Sequence, residues 1–587
     1  MAKSKKAKAD EDFLLSIKDN YRTSVDQWDH IYTAAEDDIR FVYDVDGGQW
    51  PSAERDRRTA AGRPVITSNK ILKFVRQLRG DMMMNRPRIK VIPVDDKSDP
   101  QMAELYNGLI RQIEYLSSAE IVYDTAYMAA VSCSIGFFRL VTQYESDESF
   151  DQIIRLKRIV NPLSVHFDPM ALEFTLEDAR YCFIEEMVEK KMFEKLYPSA
   201  DATAFAGDAS LIGDWDTGEN IRVAEYFYKE PEKKTIVQLE TGDRIGLGGK
   251  VTKEYIQSKG GRIVKERTVD THKVMWCKTN GYELLEEPKE WVGSNIPIIP
   301  VFGDEIVVGG KRYYLSHTRG AKGPQTMYNY WATAATENVA LTPKNPYVVD
   351  HRQIKGFENE WNEANLENRM FIRYNAIAGL DKPHKEPQSQ VPAAIISMMQ
   401  STAYDIEDHL GRYESSKGEA GNERSGKAII ARIAQSDKGT YTFVNNLARA
   451  IVYAGRQMIE MIPKIYDTPR ALSIMGEDGQ QKTVKVNQPV PMAGGEGVGI
   501  ANDLSVGTYD LIATAGASYS SKRQEMTAMM IESLQYAPQL ANVIAPLIFK
   551  YSDYPGAEEV YAEVKKQMEA AQQQAQQGQP QPQGQPK

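Results

Sequence analysis

Between about residues 134 and 310 the spacing of apolar residues changes, and this change restricts the fold more than any other feature of the chain. Before it, Met102, Leu105, Leu109, Ile113 and Leu116 recur at helical spacing within one helical stretch over 101–133. Residues 13–90 read as mostly helical too, with one amphipathic segment opening at Phe13 and another over 69–84 that stops at Asn85-Arg86-Pro87. Inside the changed region, Ile153 to Phe167, Ile221 to Leu239 and Arg262 to Cys277 are rich in Val, Ile and aromatic residues, which predicts strands. Turn signals at Asn161-Pro162, Asp168-Pro169 and Lys278-Thr279-Asn280-Gly281 punctuate them. Strands and helices segregated along one chain predict an α+β fold. At 587 residues the chain is too long for one core and predicts about three or four folding units.

Two further helices stand out after residue 315. The first opens at Pro324 and runs to about Thr342, carrying Met327, Tyr330, Trp331, Ala334 and Leu341. The second runs from about Pro392 to a C′ glycine at Gly411, with Ile395, Met399, Ala403, Ile406 and Leu410 on one stripe. The charged segment 344–391 lies between them, helical in look from Glu358 to Phe371. After Gly411 comes a stretch with almost nothing to bury, expected as an exposed loop. Val444, Ala448, Ile451, Gly455, Met458 and Ile462 then mark a long packed helix with a close-approach glycine. Residues 484–516 are Gly-rich and β-like, and Ser521-Lys522-Arg523-Gln524 is a capping box that opens a Met-rich helix. Nine of the last sixteen residues are Gln, too polar a tail to build a core.

The residues argue against catalysis. Gly421-Asn422-Glu423-Arg424-Ser425-Gly426-Lys427 fits the start of a phosphate-binding loop, but the next residue is Ala428, where the Mg²⁺-ligating hydroxyl belongs. The segment also follows a helix rather than a buried strand. Gly246-Leu247-Gly248-Gly249 lacks the third glycine of a dinucleotide site. Asp44-Val45-Asp46-Gly47-Gly48 resembles a calcium loop, yet Arg55 stands at its twelfth position, so a turn is expected. Cys133, Cys182 and Cys277 are far apart, predicting reduced buried thiols, and the seven histidines have no ligand spacing, so neither metal nor cofactor is expected. The basic start, Met1 to Asp12, precedes no apolar segment and reads as a flexible arm. No stretch has the apolar length of a membrane helix. The net charge of −10 argues against a protein that grips nucleic acid, though not against one that DNA slides past.

Several short motifs fall in a fixed order: Gln49-Trp50-Pro51, Arg63-Pro64, Asn69, Gly80, Asn85-Arg86-Pro87 and Pro93. Ser134-Ile135-Gly136-Phe137-Phe138-Arg139, Asn161-Pro162, Asp168-Pro169 and Ile298-Ile299-Pro300-Val301-Phe302-Gly303 follow. Pro324-Gln325-Thr326-Met327-Tyr328-Asn329-Tyr330, Asn375-Ala376, Glu423 to Ile429 and Gly507-Thr508-Tyr509-Asp510-Leu511 complete the series. Together, over about 13–565, they resemble the portal proteins of short-tailed (podovirus) phages of enteric bacteria.

The resemblance implies a non-enzymatic subunit of a ring of about twelve copies around a DNA channel at one capsid vertex, used in genome packaging, retention and ejection. It implies a mixed α/β wing over 1–315, a two-helix stem at 316–343 and 392–410, and a small clip at 344–391. A channel loop at 411–427, a long wing helix and β segment over 428–519, a helical crown at 520–570 and a disordered tail at 571–587 complete the layout. Met327, Trp331, Leu341, Ile395, Met399 and Ile406 become stem residues, and Arg412, Lys417, Glu419, Glu423, Arg424 and Lys427 channel-loop residues. Arg352, Lys355, Trp361, Arg369 and Arg373 become the clip surface that meets the terminase and later the tail adaptor proteins. The implied partners are other copies of the chain, double-stranded DNA, terminase, scaffolding and major capsid protein and tail adaptors, with assembly in the host cytoplasm and no membrane. The alternatives are another phage ring or minor capsid protein and, against the missing hydroxyl at Ala428, a packaging NTPase.

Overall fold

The structure is a computed structural model. It describes residues 2–84, 86–94, 99–200, 219–240, 244–247, 252–258, 261–341, 347–364, 369–385, 393–411, 441–475, 481–491, 498–514 and 529–534, with 544 and 548. The chain mixes helix and sheet, as the segregated pattern predicts. The helices are α1 (Ala2–Tyr43), α2 (Ser52–Ala60), α3 (Ile71–Met84), α4 (Pro100–Leu116), α5 (Ala119–Cys133), α6 (Lys190–Leu196), α7 (Lys253–Ser258), α8 (Lys322–Leu341), α9 (His351–Ile354), α10 (Glu358–Asn362), α11 (Ala393–His409) and α12 (Tyr441–Ile465). The strands run from β1 (Arg88–Pro93), β2 (Ile135–Tyr144), β3 (Gln152–Arg158), β4 (Val165–Phe167), β5 (Tyr181–Glu189), β6 (Asn220–Leu239), β7 (Arg244–Leu247), β8 (Ile263–Thr279) and β9 (Leu284–Glu290) to β10 (Ile298–Phe302), β11 (Asp304–Val308) and β12 (Lys311–Leu315). The last are β13 (Tyr347–Val348), β14 (His384–Lys385), β15 (Arg470–Met475), β16 (Gln481–Val486), β17 (Gln488–Pro491), β18 (Val498–Ala501) and β19 (Tyr509–Thr514).

Residues gather into two compact units rather than three or four. Unit 1 takes 1–35, 78–316 and 420–587; unit 2 takes 36–77 and 317–419. Fewer units form because each core recruits segments that are distant in sequence.

In unit 1, α4, α5 and α12 pack with the antiparallel sheet β10-β2-β3 around one apolar core. α12 buries Leu447, Ile451, Met458, Met461 and Ile462 on one stripe, each worth about 1.5–3 kcal/mol of burial. The close approach expected at Gly455 is present: a Cβ there would lie 2.5 Å from Leu511 Cδ1 and 2.6 Å from Ile89 Cδ1. Gly136, on β2, is tighter still, because a Cβ would stand 2.0 Å from the Ala126 carbonyl oxygen of α5. The stretch read as one helix over 101–133 is two, α4 and α5. Ser117 hydroxyl donates back to Ile113 O at 2.6 Å, and Ser118 takes a left-handed φ of 48°, which ends the first helix.

A second sheet, β4-β5-β6-β8-β9 with β7 on β6, is antiparallel throughout. Gly281, at φ 79°, makes the turn between β8 and β9 that the sequence signals. Ile17 and Tyr21 of α1 pack on this sheet with Tyr181, Phe183, Ala224, Tyr226 and Cys277. The basic start expected as a flexible arm is instead helical from Ala2, continuous with α1. A buried polar cluster sits in the same region: His166 Nε2 is 2.8 Å from Glu185, and Arg222 is 3.4 Å from the other Glu185 oxygen.

The three cysteines are free and buried. Burial pushes the Cys277 thiol up to about 12 and Cys182 well above its ordinary value, which disfavours the nucleophilic thiolate. Among the described residues no helix is long and apolar enough to cross a membrane, and no cluster of His, Cys, Asp and Glu could hold a metal ion.

Candidate functional site

Unit 2 contains both proposed stem helices and the segment between them. α8 and α11 pack against each other. α11 buries Thr402 and Ile406, and Leu410, directly after it, is buried as well. It ends as its C′ glycine predicts, with Gly411 at φ 64° donating to Asp408 O at 3.0 Å.

α8 is built differently from its apolar pattern. Met327 is 47% exposed and Trp331 half-buried, whereas the buried stripe is Gln325, Asn329, Thr333 and Glu337. These polar side chains recur every four residues, so they stack on one face. Along that face lies the extended segment 63–70. Its backbone finds partners on the helix side chains instead of on a strand. Lys70 N–H donates to Gln325 Oε1 at 2.9 Å, and Gln325 Nε2 donates to Ser68 O at 2.9 Å. Ser68 N–H donates to Asn329 Oδ1 at 3.0 Å, and Ile66 N–H to Thr333 Oγ1 at 3.2 Å. The last rung is the Arg63–Glu337 ion pair, joined by Arg58 at 3.5 Å. Arg63 beside it holds the Glu337 carboxyl below its ordinary value.

Two of the motifs that carried the family resemblance, Gln49-Trp50 and Asn329-Tyr330, meet at this helix. Asn329 Nδ2 donates to Gln49 Oε1 at 2.9 Å, and Tyr330 lies 4.6 Å from the Trp50 ring. The Asp44–Gly48 segment is a turn with Asp44, Asp46 and Gly47 at positive φ, and Gln49 N–H donates to Asp44 Oδ1 at 3.1 Å. At the start of α8, Arg319 and Lys322 reach the buried Asp38 carboxylate at 2.7 and 2.6 Å, and Lys322 also reaches Asp37 at 2.5 Å. Two cations around one desolvated carboxylate hold the helix start in place. The i+4 run of Gln, Asn, Thr and Glu was a readable signal of the ladder. The Asp38 pairs, 281 and 284 positions away in sequence, left none.

The segment 347–385 is a small self-bonded module. Its ends pair as β13 and β14. The helical look from Glu358 onward yields only α10, because the chain folds back so that Trp361 Nε1 donates to Arg373 O at 2.8 Å. Gln353 is buried and donates to Asp381 O at 2.8 Å. Of the proposed clip residues, Arg352 pairs with Asp350 at 2.8 Å, Arg369 with Glu363 at 2.5 Å, and Arg373 with Glu360. Trp361 stands edge-on to Tyr347 at 5.2 Å, and the Lys355 carbonyl accepts from Asn375 Nδ2 at 2.8 Å. Arg352 hydrogen-bonds the Asp350 carboxylate and holds it down at about 2. Beside this charged lattice Met370 and Phe371 stand 100% and 76% exposed. Of the stem residues, Ile395 and Met399 are half-buried, and Leu341 lies in the last turn of α8. Arg412, Lys417, Glu419, Glu423, Arg424 and Lys427 lie outside the described residues, as do the phosphate-loop-like segment, the capping box at 521–524 and the tail.

Residues 18–587 match the family described as phage P22-like portal protein. The chain belongs to that family. A portal protein of Acyrthosiphon pisum secondary endosymbiont phage 1 is 24% identical over 564 residues, covering 89% of this chain and 76% of that protein. As a phage portal protein the chain is a structural part of the virion, the head-to-tail connector, and not an enzyme. For a portal, the arrangement in unit 2 has a plain use: it fixes a helix pair, and the module between the helices, through buried polar contacts of defined geometry.

Proposed function

We propose that this portal chain closes into a ring of about twelve copies around a channel for double-stranded DNA. In this reading α8 and α11 are the stem, 344–391 the clip, and 411–427 a loop turned towards the channel. The observation that carries it is the apolar surface left outside the helix pair. Met327 on α8 and Ile396, Met398 and Tyr404 on α11 are exposed although both helices already pack together. Neighbouring stems in a closed ring would cover them. Met370 and Phe371 give the clip an apolar contact beside Arg352, Arg369 and Arg373, suited to terminase during packaging and to tail adaptors afterwards. Scaffolding and major capsid protein would meet the rest of the chain while the capsid assembles in the host cytoplasm. The net charge of −10 per copy suits a lining that lets DNA pass, since a cationic one would hold it by counterion release.

The test has two arms. Negative-stain images of the purified chain are expected to show rings with a central hole; a stable monomer at micromolar concentration, with scaffold present, would refute the ring. Deleting residues 415–422 should leave rings intact and reduce nuclease-protected DNA in assembled particles, and unchanged packaging would remove the loop from the channel.

A further inference from the structure

Acids outnumber cations in this chain, 81 to 71, yet no acidic residue stands anywhere from Arg57 to Gly80, a stretch that holds seven cations. Four of the seven take their acid from elsewhere. Arg57 and Arg58 pair with Glu54 at 2.7 and 2.9 Å, Arg63 with Glu337, and Arg79 with Asp124 at 2.6 Å. The other three, Lys70, Lys73 and Arg76, have no ion pair among the described residues, and all three are exposed.

These three form one row. Asn69 Oδ1 accepts from Leu72 N–H at 3.0 Å and closes the first turn of α3 around Lys70; Lys73 and Arg76 follow at steps of three. Each step advances about 4.5 Å, so the row spans about 9 Å. The opposite face of the helix buries Ile71, Phe74, Val75 and Leu78, which keeps the cations turned to solvent. The Lys70 ammonium lies over the Tyr328 ring at 5.1 Å, which leaves its outer side open.

Gly80 is the second observation. It lies four residues beyond Arg76 and seven beyond Lys73, on the same helix face. A Cβ there would meet nothing within 4 Å, and its φ is not positive, so neither packing nor backbone conformation calls for glycine. Helical glycine costs about 1 kcal/mol relative to alanine. What it leaves is bare backbone beside two unpaired cations, where a partner can come close.

The chemistry of the row selects that partner. Protein interfaces centre on aromatic and apolar side chains and are poor in lysine. From Lys70 to Gly80 no exposed residue is apolar. Phosphates need only cations, and along one strand of duplex they advance about 3.4 Å each, so the row matches about three of them. We propose that Lys70, Lys73 and Arg76 contact the phosphate backbone of double-stranded DNA, by charge and without reading sequence. Three cations per copy give a brief contact rather than a grip, in keeping with the net charge of −10. This inference rests on the reading of DNA as the cargo and adds a contact separate from the loop 411–427.

The test measures binding of the full chain to short labelled duplexes of two unrelated sequences, by fluorescence anisotropy over a series of salt concentrations. The wild type should bind both alike. Lys70→Gln, Lys73→Gln and Arg76→Gln should each flatten the slope of log K against log salt by about 1, and the triple variant by about 3, with unchanged melting curves. Gly80→Lys sets a fourth cation in open space on the same face and should steepen the slope by about 1, a gain that no folding defect produces. Arg22→Gln and Lys289→Gln remove cations already beside Asp26 and Glu286, and should leave the slope as it was. A wild-type slope in the triple variant, no gain in Gly80→Lys, or equal losses in the two paired-cation variants would overturn the assignment. So would a wild type that binds no duplex at low salt. A triple variant that keeps its DNA slope but loses rings would give the row to an acidic surface of another copy instead. A wild type that forms no rings, while its DNA binding follows the row, would refute the ring reading alone.

Discussion

Asn329→Ala should release the segment 63–70 from α8. Asn329 is fully buried and sits in three hydrogen bonds: it accepts from Ser68 N–H and Gln325 Nε2, each at 3.0 Å, and donates to Gln49 Oε1 at 2.9 Å. Alanine leaves the Ser68 amide and the Gln49 oxygen without partners, and each orphan costs about 1–3 kcal/mol. The vacated volume adds about 1 kcal/mol. Neighbouring rungs at Gln325 and Thr333 keep their bonds, so a net loss of about 3–4 kcal/mol is expected. The chain has two units, so global unfolding would blur the effect, and local opening is the better measure. Hydrogen exchange of the peptide spanning 63–70 should speed up at least a hundredfold, since about 1.4 kcal/mol is a factor of ten. Thr336→Ala, on the exposed side of the same helix, should change exchange by less than about 0.5 kcal/mol. Equal protection in Asn329→Ala and Thr336→Ala would refute the claim that the ladder holds the segment.

Gly136→Ala should destabilise unit 1 by more than about 3 kcal/mol, because the new methyl meets the rigid Ala126 carbonyl; a soluble variant with wild-type denaturant midpoint would contradict this. Thiol titration should find no reactive cysteine in the native chain and three after unfolding. Burial raises the Asp168 carboxyl, but hydrogen bonds from Arg180 and the Met170 amide outweigh it and leave the group below its ordinary value. A depressed carboxyl gives stability that is present above the unfolded value, about 4, and is lost as pH falls through the folded one. Asp168→Asn should therefore flatten the acid limb of the stability curve, and an unchanged limb would count against the pair. By the same sign, Asp350 should stay ionised to about pH 2 in a carbon-detected titration.

Much of the framework was legible because period and punctuation are local properties. The β8–β9 turn, the end of α11 at Gly411 and the glycine contact of α12 all follow from residues near in sequence. The break at Ser117-Ser118 was hidden, since the apolar spacing runs on through it. α8 was legible as a helix but misleading as to its buried face. Its Met, Tyr and Trp look like a core stripe, whereas burial follows the amides that can satisfy an unpaired backbone. Short motifs such as Gln49-Trp50 and Asn329-Tyr330 pointed to the family without revealing that they touch one another.

The polar ladder works as two rulers with unequal graduations. Four residues of helix advance about 6.0 Å, while two residues of extended chain advance about 6.6 Å. Each rung therefore slips by about 0.6 Å, and by the fourth the mismatch is about 2 Å. The first three rungs tolerate the slip as backbone bonds to Lys70, Ser68 and Ile66. At the fourth, position 64 is a proline with no N–H to offer, and the contact passes to the long, adjustable Arg63–Glu337 pair. Such a vernier comes into step over only one short stretch. The segment cannot creep along the helix by one graduation without putting Pro64 where an amide is required, so its position along α8 is set by arithmetic as much as by affinity.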